Sequence, residues 1–313
     1  MDEFLLFSGR ANPKLAKDIA DYLPARLSDI RIGNHYDGEI DPEILENVRG
    51  RKVFFIQPTC PPRVNEYFME LFIVADTFKR ASCGEFNAVV PYLGYSRKDR
   101  KDKPRVPISA RAMANALELA ARIDRLVCMD LHSDQIQGFY NIPVDNLYAS
   151  YVLLPYIRAH YPEDLMIFSP DVGGAKRAQA YAERLGVDFG IVQKKRVQKR
   201  RKGIKVMKVI GEPEGMNIVL VDDLVDSAGT LVEAAEALIE RGAKSIAAAC
   251  THAVLTRRAL LRIERSSLTN LIVTDTIPLR KSSPKMTVLS VAQLLGEAIR
   301  RINNCESISS LFL

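Results

Sequence analysis

A buried strand that runs directly into acidic side chains is the most informative feature of the sequence. The run Ile218–Val221 is apolar, and two adjacent carboxylates, Asp222 and Asp223, follow it. A third acid and a loop of small and hydroxyl residues then lead into a helix predicted to begin at Leu231. These loop residues are Asp226, Ser227, Ala228, Gly229 and Thr230.

Such a loop predicts an anion site, because backbone N–H groups at the start of a helix point outward and carry partial positive charge. Carboxylates accept hydrogen bonds well from vicinal hydroxyls, so Asp222 and Asp223 indicate a sugar attached to a phosphate. The alternative is an ordinary helix start with solvated acids. Three acids, a glycine and two hydroxyls at this spacing favour the sugar-phosphate site.

The elements that must position these residues alternate along the whole chain. Short apolar runs rich in β-branched residues are predicted strands, and amphipathic stretches such as 109–121 and 231–241 are predicted helices. The predicted strands include the start of the chain near Phe7 and the runs 53–56, 88–92, 126–129, 166–168, 218–221, 246–249 and 271–274. Continuous apolar runs are typical of strands buried on both faces, so the pattern predicts an α/β fold with mainly parallel sheets covered by helices.

The two halves of the chain share one pattern. Phe7-Ser8 leads from a strand into a helical stretch, Phe168-Ser169 does the same, and the run 53–56 takes the place that 218–221 takes later. We therefore expect a duplicated α/β domain, with residues 1–146 forming the first copy and 147–299 the second. Residues 300–313 are expected to pack back on the first domain.

Cysteine placement, hydropathy and net charge limit the compartment and the kinds of partner that the protein can have. The five cysteines are scattered without a Cys-x-x-Cys pair, which argues against disulfides and zinc and favours a reducing cytoplasm. No run of about 18 apolar residues occurs, so no membrane partner is expected. A net charge of +6 suits a polyanion, either nucleic acid or a small phosphorylated substrate. Few aromatic residues are interleaved with the densest basic run, 193–202, and this argues against nucleic acid.

Nucleotide sites of two common kinds are excluded. The chain has no Gly-Lys dipeptide, hence no phosphate-binding loop of the Walker type, and no G-x-G-x-x-G fingerprint.

Three further segments carry recognisable patterns: Asp130–Tyr140, Ser169–Arg177 and Pro91–Lys103. Together with 222–230, they closely resemble segments of ribose-phosphate pyrophosphokinase, also called phosphoribosyl-pyrophosphate (PRPP) synthetase. The resemblance extends over essentially the whole chain.

The resemblance implies two tandem domains of the type I phosphoribosyltransferase kind and a defined reaction. The family converts ribose 5-phosphate and ATP to PRPP and AMP with Mg²⁺, for nucleotide biosynthesis. It places ribose 5-phosphate at Arg196 and at Asp222, Asp223 and 226–230, and the metal at His132 and Asp171. Magnesium prefers oxygen ligands, which suits Asp171 better than His132. Lys194 and Arg196 match the family's catalytic loop, where their charges would stabilise the transition state.

The ATP-binding positions of the family match Asp37, Gly38, Glu39, Arg97 and Lys98. Two residues depart from its usual pattern: His35 stands where many relatives have Phe, and Lys98 where they have Gln. The family also implies a homo-oligomer, typically a hexamer, in which one chain completes the adenine site of another.

Two other functions share parts of the pattern. A phosphoribosyltransferase consumes PRPP and carries the 222–230 motif, but it would need neither the Lys194 and Arg196 pair nor the Arg97 segment. A regulatory PRPP-synthetase-associated protein would be expected to show damaged motifs or an insertion near the catalytic loop. Here every acid and the Lys194 and Arg196 pair are present, which favours the catalytic enzyme.

Overall fold

The computed structural model describes residues 4–197, 204–256 and 258–311. The strands are β1 (Leu5–Ser8), β2 (Ile30–Asn34), β3 (Ile40–Ile44), β4 (Lys52–Ile56), β5 (Glu85–Val90), β6 (Arg125–Met129), β7 (Val144–Leu147), β8 (Leu165–Ser169), β9 (Phe189–Val197), β10 (Ile204–Ile210), β11 (Asn217–Val225), β12 (Ser245–Ala253), β13 (Asn270–Thr274) and β14 (Met286–Leu289). The α-helices are α1 (Pro13–Tyr22), α2 (Val64–Arg80), α3 (Ser109–Asn115), α4 (Ser150–His160), α5 (Ala175–Leu185), α6 (Gly229–Ile239), α7 (Ala259–Glu264) and α8 (Ala292–Asn303).

Contacts divide the chain into two compact units. The first comprises Met1–Ala149, Thr276–Pro278 and Ser290–Leu313, and the second comprises Ser150–Asp275 and Leu279–Leu289. The predicted boundary between residues 146 and 147 falls inside β7, which pairs with β6 along Val144–Leu147. The C-terminal helix α8 belongs to the first unit, where Gly296 lies against the ring of Tyr22 at the end of α1.

The first unit is built on a parallel sheet with the strand order β1-β4-β5-β6-β7. Its core contains a cluster of phenylalanines in which Phe78 of α2 packs against Phe7 and Phe86 of the sheet, with ring centroids 4.8 and 5.3 Å apart. Helix α1 begins at Pro13, and the side chain of Asn12 accepts a hydrogen bond from the Leu15 N–H, as is typical of a helix start. The antiparallel hairpin β2–β3 forms a separate two-stranded sheet.

The second unit repeats this topology. Its sheet has the order β10-β9-β8-β11-β12-β13-β14, so the run from β8 to β14 follows the same path as β1 to β7 in the first unit. All its pairs are parallel except β9 with β10. The predicted duplication is therefore confirmed, and each copy adds its own hairpin: β2–β3 in the first and the long β9–β10 pair in the second.

The central strands of the second sheet are buried along most of their length, as expected for a mainly parallel sheet. Every residue of β8 is buried, and β12 is buried from Ile246 to Ala253. The predicted helix over 109–121 divides into α3 and a π-helical turn, Ala116–Ala120. Among the described helices, none is both long and apolar enough to cross a membrane.

We expect Gly190→Ala to destabilise the second unit. Gly190 pairs directly with Phe168 of β8, and a Cβ at this position would lie 2.4 Å from the Phe168 ring and 2.6 Å from the Ile210 carbonyl oxygen. Overpacking of this kind costs about 1–3 kcal/mol. Thermal unfolding followed by circular dichroism should show a melting temperature lowered by about 3–10 °C. Gly138→Ala is the control, because a Cβ there meets nothing within 4 Å. Equal melting temperatures for the two variants would contradict the expectation.

Candidate functional site

Strand β11 carries the two adjacent acids in the middle of the second sheet. It pairs with β8 over Asn217–Leu220 and with β12 as far as Val225. The prediction that the strand ends before Asp222 is wrong: Asp222 pairs with Cys250 and the ladder continues for three more residues, to Val225. The acids lie within the strand because β12 continues to supply pairing partners there. They are therefore held by the sheet rather than by a loop.

The carboxylates of Asp222 and Asp223 share one cation. Arg177 on α5 places its Nη1 atom 3.8 Å from Asp222 Oδ1 and 3.6 Å from Asp223 Oδ1. The Asp223 N–H donates to Asp222 Oδ1 at 2.9 Å. The exposed fractions of the side chains are 21% for Asp222 and 8% for Asp223. Arg177 was not predicted as a site residue, although it ends the segment 169–177 that was singled out.

Burial, and then the neighbouring charge of Asp223, raise the pKa of Asp222 to about 8, while the Arg177 guanidinium acts in the opposite direction. A carboxyl group with such a pKa is largely protonated at neutral pH, so it can donate as well as accept a hydrogen bond. The pair therefore offers both donor and acceptor positions to a ligand with adjacent hydroxyls.

The loop after β11 is held by residues that come much later in the chain. The Thr256 hydroxyl donates to the Asp226 carboxylate, and the Thr256 N–H donates to the Asp226 carbonyl oxygen at 3.0 Å. Arg262 on α7 donates from Nη1 to the Ser227 carbonyl oxygen at 2.9 Å. Sequence reasoning missed both residues, because neither belongs to a pattern near 222–230.

The loop geometry suits an anion. Ala228 adopts a left-handed conformation with φ of 60°, which is uncommon for a residue other than glycine, and it is buried. Helix α6 then begins at Gly229, two residues before the predicted start, and Thr230 is exposed at its first turn. A left-handed residue followed by a helix N-terminus is an arrangement that anion-binding loops use.

The segment after β8 is the second predicted contributor in this unit. Asp171 is exposed, its Oδ1 atom accepts from the Gly174 N–H at 3.1 Å, and its carbonyl oxygen accepts from the Ser169 hydroxyl at 2.6 Å. These bonds turn the chain from β8 into α5, the helix that carries Arg177. One connection therefore positions both the predicted metal ligand and the cation beside the acids.

The predicted catalytic residues Lys194 and Arg196 lie on β9. In the antiparallel ladder they pair with Met207 and Lys205 of β10. Lys195 lies between Lys194 and Arg196 on β9, and the other cations of the basic run, at 199–202, fall within residues 198–203, which lie outside the described part of the chain.

The predicted ATP-binding residues all belong to the first unit. Asp37, Gly38 and Glu39 form the exposed turn between β2 and β3, where Gly38 has φ of +99°. Arg97 and Lys98 lie in the connection after β5, both exposed. Lys98 pairs with Asp102 at 3.0 Å and lowers the pKa of that carboxyl group.

His132 also belongs to the first unit, whereas Asp171 belongs to the second. His132 is exposed and follows β6. The chain at the end of β6 is held by the Asp130 carboxylate, which accepts a hydrogen bond from the Ala149 N–H at 3.0 Å. Within residues 4–197, 204–256 and 258–311, no group of three or more His, Cys, Asp or Glu side chains is arranged to hold a metal ion.

Comparisons with known proteins identify the family of this chain. Residues 4–120 match the family model described as the N-terminal domain of ribose phosphate pyrophosphokinase, and residues 194–313 match the phosphoribosyl synthetase-associated domain. Over 313 residues and the full length of both chains, the protein is 48% identical to a ribose-phosphate pyrophosphokinase of Campylobacter jejuni. This chain belongs to the ribose-phosphate pyrophosphokinase family. A relative with the same name from Bordetella pertussis is also 48% identical, with 98% of this chain and 99% of the relative covered.

A solved member of this family has the same fold. The crystal structure of phosphoribosylpyrophosphate synthetase from Mycobacterium smegmatis superposes with a TM-score of 0.90 at 37% identity, covering 97% of this chain and 99% of that one. The expected fold class is therefore confirmed: two phosphoribosyltransferase-like α/β domains in tandem, as in other ribose-phosphate pyrophosphokinases.

We expect the stability of the second unit to depend on pH through Asp222. Its pKa is raised in the folded chain, so between pH about 4 and about 8 the folded state holds a proton that the unfolded chain has lost. Stability then falls as pH rises through this window and levels off above it. Thermal unfolding without ligand should show that Asp222→Asn is more stable than the wild type, by a margin that grows from pH about 5 to pH about 8.

The exposed carboxylate Glu240 provides the matched control. Glu240→Gln should follow the wild-type curve across the same range. Parallel curves for wild type and Asp222→Asn would show that Asp222 keeps an ordinary acidity in the fold.

Proposed function

We propose that the protein is a ribose-phosphate diphosphokinase that transfers pyrophosphate from ATP to the 1-hydroxyl of ribose 5-phosphate, giving PRPP and AMP. The observation that carries the proposal is the adjacent pair Asp222 and Asp223, largely withdrawn from solvent and separated by two residues from the loop 226–230. This arrangement suits a sugar phosphate, because the carboxyl groups match vicinal hydroxyls and the loop matches a phosphate.

The binding roles in the second unit follow from these groups. The N–H groups of 227–230 and the hydroxyls of Ser227 and Thr230 would hold the 5-phosphate, and Arg196 would add positive charge. Asp222 and Asp223 would hydrogen-bond the ribose hydroxyls and so fix the sugar. Orientation of this kind raises the rate because the attacking hydroxyl no longer has to be ordered during the reaction.

In the proposed reaction, the oxygen of the 1-hydroxyl attacks the β-phosphorus of ATP and its proton passes to solvent water. The bond between the β-phosphorus and the oxygen that bridges it to the α-phosphorus breaks, and AMP leaves with that oxygen. Lys194 and Arg196 would stabilise the charge that builds on the phosphate oxygens, lysine as a mobile point charge and arginine as a fork of donors. Asp37, Gly38, Glu39, Arg97 and Lys98 would bind the ATP.

Mg²⁺ is part of the proposal. Asp171 is one exposed carboxylate on an ordered turn, and this donor set suits an ion that keeps several waters and takes its other ligands from substrate phosphates. His132 is the second proposed contact, directly or through a phosphate. When bound, the ion would neutralise phosphate charge.

The scattered cysteines, which favour a reducing compartment, and the family resemblance support the proposed cellular setting. We propose a cytoplasmic enzyme of nucleotide biosynthesis that acts as a homo-oligomer, with the first unit, near residues 1–146, carrying the ATP-binding residues and the second, near 147–299, the sugar-phosphate site.

The reaction products distinguish this proposal from other activities. With magnesium, ATP and ribose 5-phosphate, the protein should release AMP and not ADP, because an ordinary kinase directs its acceptor to the γ-phosphorus and leaves ADP. Omitting ribose 5-phosphate or chelating the metal should abolish AMP formation. Chromatography of the nucleotides after a timed incubation gives the answer.

Three other outcomes of this assay would contradict the proposal, and each would indicate a different activity. Sugar-dependent ADP would show that the γ-phosphorus is attacked. A folded protein that forms no product, even with inorganic phosphate present, would favour a regulatory binding protein. Consumption of PRPP in the presence of a free nucleobase would favour a phosphoribosyltransferase.

We expect Lys194→Ala to lower kcat by about 10²–10³ and to change KM much less, because a charge used in the transition state contributes little to ground-state binding. Steady-state assays of AMP release measure both constants. Lys208→Ala is the matched control, since Lys208 is an exposed lysine on the neighbouring strand, where it pairs with Gln193. A normal kcat with only a raised KM would refute the catalytic role of Lys194.

A further inference from the structure

A buried carboxylate in the first unit has no part in the proposed chemistry. Glu70, on α2, is fully buried. It accepts from the Arg10 N–H at 2.8 Å, from Arg10 Nε at 2.6 Å and from Gln57 Nε2 at 2.9 Å. A buried charge is costly unless it is paired and hydrogen-bonded, so Glu70 strongly constrains where Arg10 can lie.

Arg10 connects this buried group to the β2–β3 hairpin. Its Nη1 atom donates to Asn34 Oδ1 at 2.5 Å, while Nε is held by Glu70. The guanidinium group is planar and rigid, so contacts through two different nitrogens fix its orientation as well as its position. The Asn34 Nδ2 atom in turn donates to the Gly38 carbonyl oxygen at 2.8 Å. A continuous series of hydrogen bonds therefore leads from the buried carboxylate to the turn.

The turn itself is small and projects into solvent. The Gly38 N–H donates to the His35 carbonyl oxygen at 2.9 Å, and the Glu39 N–H donates to Asp37 Oδ1 at 3.1 Å. Tyr36, at the tip, is fully exposed. Ile30, Ile32 and Ile44 pack the strands of the hairpin against the core of the first unit, whereas residues 35–39 are all exposed. A connection to a buried anchor would restrict the conformations of such a turn before any ligand binds.

We propose that Arg10 and Asn34 are positioning residues that hold the turn 35–39 in its nucleotide-binding conformation. This inference rests on the proposed function, in which Asp37 and Glu39 bind ATP. Glu70 anchors Arg10, Arg10 holds the Asn34 amide, and the amide holds the Gly38 carbonyl between the two acids. Binding to a turn that is already ordered avoids the entropic cost of ordering it, so losing the connection weakens ATP binding and leaves ribose 5-phosphate binding alone.

The test uses substitutions at Asn34, which is exposed and can change without disturbing the Glu70 and Arg10 pair. Asn34→Ala removes both contacts. Asn34→Asp keeps an acceptor for Arg10 and removes the donor to Gly38. Steady-state assays should show that each variant raises KM for ATP by about 3- to 30-fold, with KM for ribose 5-phosphate within about twofold. Calorimetric titration with magnesium ATP alone should show the same loss.

The matched control is Arg31→Met on the same hairpin. Arg31 pairs with Glu43 across β2 and β3, and both side chains are largely exposed, at 70% and 53%. This change removes an arginine and an ion pair from the hairpin but leaves the Asn34 contacts in place, so KM for ATP should stay near the wild-type value. An equal rise for Arg31→Met and Asn34→Ala would overturn the positioning role, because general loosening of the hairpin would then explain both.

The combination of Arg10→Met with Asn34→Ala tests the series of contacts. If Arg10 acts through Asn34, the double variant should bind magnesium ATP no more weakly than the weaker-binding single variant. Fully additive losses would overturn the inference. Where Arg10→Met lowers the yield of folded protein, because Glu70 loses its partner, the two Asn34 variants decide the question.

Asp37→Ala separates failure of this inference from failure of the proposed function. If Asp37→Ala raises KM for ATP and the Asn34 variants do not, the turn binds ATP but Arg10 and Asn34 do not position it. If Asp37→Ala also leaves KM for ATP unchanged, the assignment of the turn to ATP fails, and the inference falls with it.

Discussion

Two carboxylates lie side by side within a buried parallel strand, and the arrangement of the second unit depends on that constraint. Asp222 and Asp223 interrupt what would otherwise be an apolar strand, and their mutual repulsion must be offset. The Arg177 guanidinium, less than 4 Å from both, supplies part of the compensation, and protonation of Asp222, whose pKa is raised to about 8, supplies the rest. The connection from β8 to α5 has to deliver that arginine, and it also carries Asp171.

The anion loop depends on distant parts of the chain in a similar way. Its backbone turns through a left-handed residue, Ala228, which is unfavourable for an isolated peptide. Thr256 and Arg262, which follow β12, hold the loop from outside through Asp226 and the Ser227 carbonyl. Because β12 lies next to β11 in the sheet, its continuation arrives beside the loop. Sheet order therefore stabilises a conformation that the loop sequence alone would seldom adopt.

In the first unit, a series of hydrogen bonds holds an exposed turn. The exposed β2–β3 turn is connected through Asn34 and Arg10 to Glu70, a buried carboxylate on α2. In both units an arginine lies beside acidic side chains near residues proposed to bind substrate. In the second unit, Arg177 contacts acids that are themselves proposed to bind the sugar. In the first unit, Arg10 contacts Glu70 and reaches the proposed ATP-binding turn through the amide of Asn34.

Local patterns in the sequence were enough to predict the α/β class, the duplication and the segments of the candidate site. Continuous apolar runs indicate buried strands, and a strand that leads into acids, a small-residue loop and a helix indicates a ligand site. The sequence also indicated a sugar-phosphate ligand from residue types alone. The hairpins β2–β3 and β9–β10 were not predicted, since half-exposed strands lack an apolar run. Only the tertiary structure showed that the acids lie within β11 and that Arg177 lies less than 4 Å from both. It also showed that Thr256, Arg262 and Arg10 hold the loops. The hydrogen bonds and ion pairs among these contacts join residues 24 to 60 positions apart. They exist because the order of strands in each sheet brings the elements together.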